Sequence, residues 1–186
     1  MAKKITTGEF RVSYANVFEP TKFEGQTPKY GVTMLFPKGT DLSPMKKLAQ
    51  EALNEKWPDK SKRPKGLRNP FRDGDTEKPD VDGYAGMTFV RANSKQKPGV
   101  VDRQRNPIFT EEEFYSGCYA RATLTAYAYD HAGNRGVAFG LQNLQKLRDG
   151  EEFSGRAKAE DDFEVYEDDS DGAVFDNEDD GDDFMS

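Results

Sequence analysis

The sequence predicts a mostly β protein, a small antiparallel barrel with one main helix and a disordered acidic C-terminal tail. Three observations support that expectation. Over the first 150 residues the apolar side chains recur mainly with period two, as in strands that bury one face. One stretch alone, near residues 43–57, changes to helical spacing. From residue 160 the periodicity stops, and residues 160–186 hold 14 Asp or Glu and no Lys, Arg or His.

The elements follow in order. In "EFRVSYANVF", Phe10, Val12, Tyr14 and Phe18 share a face, and in "KYGVTMLF" so do Tyr30, Val32, Met34 and Phe36; both read as strands. In "GTDLSPMKKLAQEALNEKWP", Ser43 is placed to cap a helix and Pro44 suits its first turn. Leu48, Ala52 and Trp57 follow at helical spacing until Pro58 ends it. Residues 58–80 are rich in Pro, Gly and charge, without periodicity, and read as one long excursion. "YAGMTFVRANS" is a third strand. "CYARATLTAYAYD" sets Cys118, Ala120, Ala122, Leu124, Ala126 and Ala128 inward, with Tyr119, Arg121, Thr123, Thr125, Tyr127 and Tyr129 outward. "HAGNRG" provides a turn, and "VAFGLQNL" returns antiparallel with Val137, Phe139 and Leu141 aligned.

Five strands with one early helix suit an OB-type barrel, since closure removes exposed sheet edges; a β-sandwich is the alternative. The expected organisation is a folded domain over 1–150, a linker over 151–159 and the acidic tail over 160–186. No apolar run approaches the ~20 residues of a membrane span, and "MAKKITTGEF" lacks the apolar core of a signal peptide. A cytoplasmic protein with no membrane association is expected.

Charge divides the chain. It has 27 Lys or Arg and 34 Asp or Glu, net −7; without the tail's 14 acids, residues 1–159 hold 27 basic against 20 acidic, net +7. A basic body with an acidic tail points to a polyanion-binding surface that holds its own competitor, because cations that attract phosphates also attract tethered carboxylates. The basic groups concentrate in the connections: Lys65, Arg68 and Arg72 in the long excursion, Lys95 and Lys97 after the third strand, and Arg103 and Arg105 in "QKPGVVDRQRNPIFT". Aromatics interleave with them: Tyr119, Tyr127 and Tyr129 share a strand face with Arg121, and Phe89 lies two positions from Arg91. Aromatic stacking at ~1–3 kcal/mol per base tolerates any base while Lys and Arg follow phosphates, so the mixture suits unpaired nucleic acid better than duplex grooves. Tyr and Thr also favour strands for packing alone.

Enzymatic readings find less. Asp73, Asp75, Asp80 and Asp82 lack EF-hand spacing and read as a charged turn. His131 falls at a hairpin tip, a poor place for a buried triad. Cys118 belongs to the small inward face, and one cysteine with one histidine leaves neither a disulfide nor a multi-cysteine zinc site. With no Walker or dinucleotide fingerprint either, no cofactor is expected.

The runs "KPGVVDRQRNPI", "GCYARATLTAYAYD" and "NRGVAFGLQNLQKLRDGEEFSG", with "AEDDF" beyond, resemble the bacteriophage and prophage single-stranded-DNA-binding protein family, most strongly from Gly83 to Phe163. The resemblance implies an OB-fold that coats single-stranded DNA in phage replication or recombination inside the bacterial host. The terminal "DDFMS" is similar to tails of bacterial and phage single-strand binders, in which acidic residues and an aromatic dock partners; here Met185 and Ser186 follow Phe184. Phe163, Phe175, Asp182, Asp183 and Phe184 are thus candidate elements of an autoinhibitory and partner-docking tail, the partners being phage or host replication and recombination proteins. Two other classes stay open: an acidic-tailed interaction or DNA-mimic protein, and a metal-dependent nuclease using the body carboxylates.

Overall fold

Alternation along the sequence becomes a closed wall in space. A computed structural model describes residues 3–21, 27–131 and 133–153; the tail residues Phe163, Phe175, Asp182, Asp183 and Phe184 lie outside them. In chain order the elements are β1 (Ile5–Thr6), β2 (Phe10–Thr21), β3 (Lys29–Pro37), α1 (Ser43–Lys56), a 3-10 turn (Lys60–Lys62), β4 (Arg72–Asp73), α2 (Gly74–Glu77), β5 (Met87–Ser94), β6 (Gly99–Val101), β7 (Tyr119–His131) and β8 (Asn134–Arg148).

Five strands form the wall. β2 pairs with β3, β3 with β5, β8 with β7 and β7 with β2, all antiparallel, and a parallel β5–β8 contact closes the ring. This is OB-barrel order, and closure rules out the sandwich alternative. Inside lie Val12, Val32, Met34, Val90, Ala92, Leu124 and Phe139, each fully buried at ~1.5–3 kcal/mol per large apolar side chain. α1 packs on β7 and β8 through Met45, Leu48, Ala49 and Ala52. Ser43 is not the cap: Leu42 takes that place, and the Asp41 carboxylate accepts from Ser43 N at 3.0 Å.

The long excursion is more structured than its composition indicates. Phe71 meets Phe139 edge-on at 5.7 Å between centroids, and β4 pairs with β5. Lys38 bridges Asp73 at 2.8 Å and also pairs with Asp75, while Asp73 accepts from Asp75 N to cap α2. Among the described residues no group of three or more His, Cys, Asp or Glu is placed to hold a metal.

Three local expectations need correction. A bulge between Ser13 and Asn16 puts Tyr14 at φ +46°; Tyr14 leaves the inner face and packs with Tyr84 at 6.3 Å. Phe89, expected to face a groove, is 5% exposed and joins Leu35 and Tyr84 in a second, smaller core on the outer wall. The segment after β4 folds over this part of the wall and removes the ring from solvent. Residues 151–153, assigned to a linker, belong to the body: Phe153 N donates to Ser116 O at 2.9 Å, and the Arg11 guanidinium sits 3.9 Å from the Phe153 ring centre.

Candidate nucleic-acid interface

The inner faces of the strands fill the barrel, so any ligand must be met on the outside. β7 obeys the alternation read from its sequence. Cys118, Ala120, Ala122 and Leu124 are buried, which turns Tyr119, Arg121, Thr123, Thr125, Tyr127 and Tyr129 outward.

Strand register sets two outward rows side by side across β3, β5, β8 and β7. One joins Gly31, Asn93, Gly140 and Thr125, which are consecutive cross-strand partners. In the next, Thr33 pairs with Arg91, and Tyr127 with Ala138, which follows Arg91 in the parallel register. With strands ~4.8 Å apart, each row covers about 14 Å of the wall. Two glycines and an alanine keep these rows low, and the polar side chains of their cross-strand neighbours lean over the glycines to form the floor of a shallow trough. A β-carbon at position 31 would meet Asn93 Oδ1 first and stand 2.7 Å from Arg91 Nη2, and one at 140 would stand 2.5 Å from Thr125 Oγ1.

Tyr127 flanks the trough with 47% of its surface exposed. Partial burial, helped by neighbouring Tyr129, holds its hydroxyl above the usual phenol range, so the ring is neutral at physiological pH. On the other side Arg91 donates from Nε to Asn93 Oδ1 at 3.1 Å and from Nη1 to Tyr14 O at 2.9 Å and Thr33 Oγ1 at 3.1 Å. These acceptors are neutral. Burial lowers the guanidinium pKa to about 10, which leaves it charged at neutral pH, an attractive field for a phosphate that requires no carboxylate to be displaced.

The basic excursion reaches this face at the β7–β8 tip. Arg68 N donates to Arg135 O at 2.9 Å, and Arg68 Nη2 to Asn134 Oδ1 at 2.9 Å. Gly136 permits the approach, because a β-carbon there would lie 2.8 Å from Arg68 O and 2.9 Å from the Tyr129 hydroxyl. Arg68, Tyr127, Tyr129 and Arg91 are therefore brought to one region.

Other sequence candidates lie elsewhere. Tyr119, eight residues before Tyr127 and about 26 Å away along β7, is flanked by guanidinium groups of Arg148 at 3.8 Å and Arg11 at 5.7 Å. Arg72 pairs with Glu77 and lies 5.3 Å from the Phe89 ring centre. Arg121 donates to Gln145 Oε1 at 2.7 Å. Lys65, Lys95, Lys97, Arg103 and Arg105 are exposed in connections. The trough floor escaped the sequence reading; its only trace was two glycines, Gly31 and Gly140, inside otherwise alternating strands.

A closed barrel in OB order, with an outward trough bordered by aromatic and guanidinium groups, defines the class of OB-fold nucleic-acid-binding domains. Within that class, residues 3–174 match the family model of the Enterobacter phage Enc34 ssDNA-binding protein, and the chain belongs to this family. Protein p50 of Acyrthosiphon pisum secondary endosymbiont phage 1 is 37% identical over 163 residues, 82% of this chain and 87% of that protein. The single-stranded DNA-binding protein from bacteriophage Enc34, solved in complex with ssDNA, superposes with a TM-score of 0.67 at 26% identity, over 81% of this chain and 89% of that one. The fold is shared further with gp2.5, a single-stranded DNA-binding protein encoded by bacteriophage T7, with a TM-score of 0.59 at 15% identity over 92% of this chain and 100% of that one.

Proposed function

We propose that this protein binds single-stranded DNA without sequence specificity on the outer trough of β3, β5, β8 and β7, and serves phage replication or recombination without catalysing a reaction. The observation that supports this most is the low polar row Gly31, Asn93, Gly140 and Thr125 beside Tyr127 and Arg91, in a chain of the Enc34 family whose solved relative holds ssDNA. Tyr127 and Tyr129 offer faces for bases. Arg91 and Arg68 attract the backbone, with Lys65, Lys95 and Lys97 extending the positive field along the strand. Nothing in this set reads base edges, so homopolymers of equal length should differ by less than about a hundredfold.

The acidic tail completes the proposal. Its 14 carboxylates, tethered to a body of opposite charge, compete with DNA at high effective concentration. Once displaced, Phe163, Phe175 and Phe184, set among Asp182, Asp183 and the other acids, become anchors for phage or host replication and recombination proteins. Titrating the full-length protein with single-stranded and duplex oligonucleotides of equal length tests the first part. Preference for the single strand is expected, and equal or stronger binding of duplex would overturn it.

A further inference from the structure

Phe109 is 78% exposed, and it is not on a loose loop. Val101 pairs with Pro107, Ile108 N donates to Val100 O at 2.8 Å, and Asp102 N to Asn106 O at 2.9 Å, so residues 100–108 form a tight hairpin. The Asp102 carboxylate accepts from both Gln104 N and Asn106 N at 2.9 Å, which fixes the turn. Gln145 Nε2 on β8 donates to the carbonyls of Asp102 and Arg103 at 3.2 and 3.3 Å. Val100 and Ile108 are buried, so their neighbours Gly99 and Phe109 turn outward. A ring held in water on so rigid a support loses apolar stabilisation with no gain to the fold.

Register places the ring on the same wall as the trough. Thr123 pairs with Asn143 and Asn143 with Gly99, and continuing the hairpin register sets Phe109 beside Gly99. One row toward the hairpin tip, Arg121 pairs with Gln145, whose amide already binds the loop that holds Arg103 and Arg105. The Asn143 amide covers Gly99: its Oδ1 accepts from Gly99 N at 3.0 Å, and a β-carbon at Gly99 would meet that oxygen at 2.7 Å, so the exposed ring stands beside a fixed polar group. Four residues along β7 and three strand spacings across separate Tyr127 from Phe109, about 20 Å in all. Glu111, Glu112 and Glu113 follow Phe109 in the chain and repel phosphate. A strand on this surface is therefore oriented, with a base toward Phe109 and its backbone toward Arg121 and Arg103.

We infer that Phe109 is a second base-stacking post, at which an unpaired nucleotide outside the trough stacks on the exposed ring while Arg103, Arg105 and Arg121 take the neighbouring phosphates. The inference rests on the proposed single-strand function and adds a site to it. It extends the footprint by about four residues along the β7–β8 outer face and across β6 onto the 100–108 hairpin, within the ~4–16 nucleotides that one OB domain covers.

Oligonucleotide length separates the two sites. An oligo(dT) of about three nucleotides spans only about 7 Å when stacked and cannot join posts about 20 Å apart, whereas one of about thirty reaches both. Phe109→Ala should weaken the long oligonucleotide by roughly ten-fold and leave the short one unchanged, whereas Tyr127→Ala weakens both. Phe109→Trp in a Trp57→Phe background should restore affinity and show tryptophan quenching only with the long oligonucleotide. Unchanged long-oligonucleotide affinity in Phe109→Ala, with the Tyr127→Ala defect intact, overturns the second post and spares the trough. Loss of protein self-association in Phe109→Ala, without quenching in Phe109→Trp, also overturns it and makes Phe109 a contact between copies. Failure of the unmodified protein to bind either oligonucleotide would instead remove the single-strand function itself.

Discussion

On β7 three steps in the sequence separate a side chain that holds the barrel together from one that faces outward. Leu124 is fully buried and Tyr127 is 47% exposed. Leu124→Ala should lower stability by about 2–5 kcal/mol, through lost transfer energy and the cavity left behind. Tyr127→Ala should leave the melting temperature nearly unchanged and weaken single-stranded DNA by ~1–3 kcal/mol, the value of one stacked base. Thermal melts and oligo(dT) titrations on the same two variants check both, and equal losses of stability with unchanged affinity would show the outward face to be packing surface. The trough floor gives a complementary test. Gly140→Val suits a strand by propensity, and its β-carbon meets chiefly the Thr125 hydroxyl at 2.5 Å, which must change rotamer to admit it. The variant should fold, and it should bind single-stranded DNA less well because its branched side chain fills the approach to the backbone. These faces were legible in advance because strand alternation is strict wherever one side is buried. Tyr14 was not legible, since a bulge is set by pairing with a neighbour, and the one-residue slip reverses the face of everything near it.

At the scale of elements, the segment from α2 to β5 shows what local pattern misses. Phe89 and Arg91 alternate correctly with Val90, yet only the covering chain decides that Phe89 is core while Arg91 stays half-buried and charged. That cover is fastened at Tyr84, whose hydroxyl shares a 2.9 Å hydrogen bond with Ser13 Oγ and whose ring meets Phe89 edge-on at 5.2 Å. Burial raises the Tyr84 pKa from 10.0 to about 12, outweighing the lowering effect of the Ser13 hydrogen bond. The folded pKa exceeds the unfolded one, so the contribution to stability is complete below pH 10 and is lost between pH 10 and about 12, by up to about 1.4 kcal/mol per pH unit. Melts at pH 9 and pH 11 should show this loss, and absorbance titration should find one tyrosine ionising after the others. Tyr84→Phe should reduce the pH dependence in that window while lowering stability at neutral pH, because Ser13 loses its buried partner. A Tyr84→Phe variant as alkali-sensitive as the parent would place the fastening elsewhere.

Over the whole molecule, the strongest signal in the sequence was the division of charge, and it needed no fold to be seen. Strand order was beyond sequence reading, since the parallel β5–β8 contact that closes the barrel joins residues 47 positions apart with no local mark. The charge division nevertheless sets the largest expected effect. Deleting residues 160–186 takes the formal net charge from −7 to +7 and removes none of the described strands, so the truncated protein should fold with an unchanged melting temperature. It should bind nucleic acid more tightly. The gain should be greatest at low salt, because contacts between exposed charges are screened over a Debye length of ~10 Å at 0.1 M. For either form, log affinity for single strands should fall with log salt, with a slope of about −0.7 per phosphate neutralised. Duplex DNA should gain proportionally more than single strands, because it lacks the stacking energy with which an unpaired base displaces the tail. Phe184→Ala in the full-length chain removes an apolar group and no charge, so it should leave DNA affinity nearly unchanged and weaken capture of a replication protein. Titrations of the truncated and full-length proteins at two salt concentrations decide the matter: equal affinities at low salt would make the 14 carboxylates bystanders to DNA binding, retained for solubility alone.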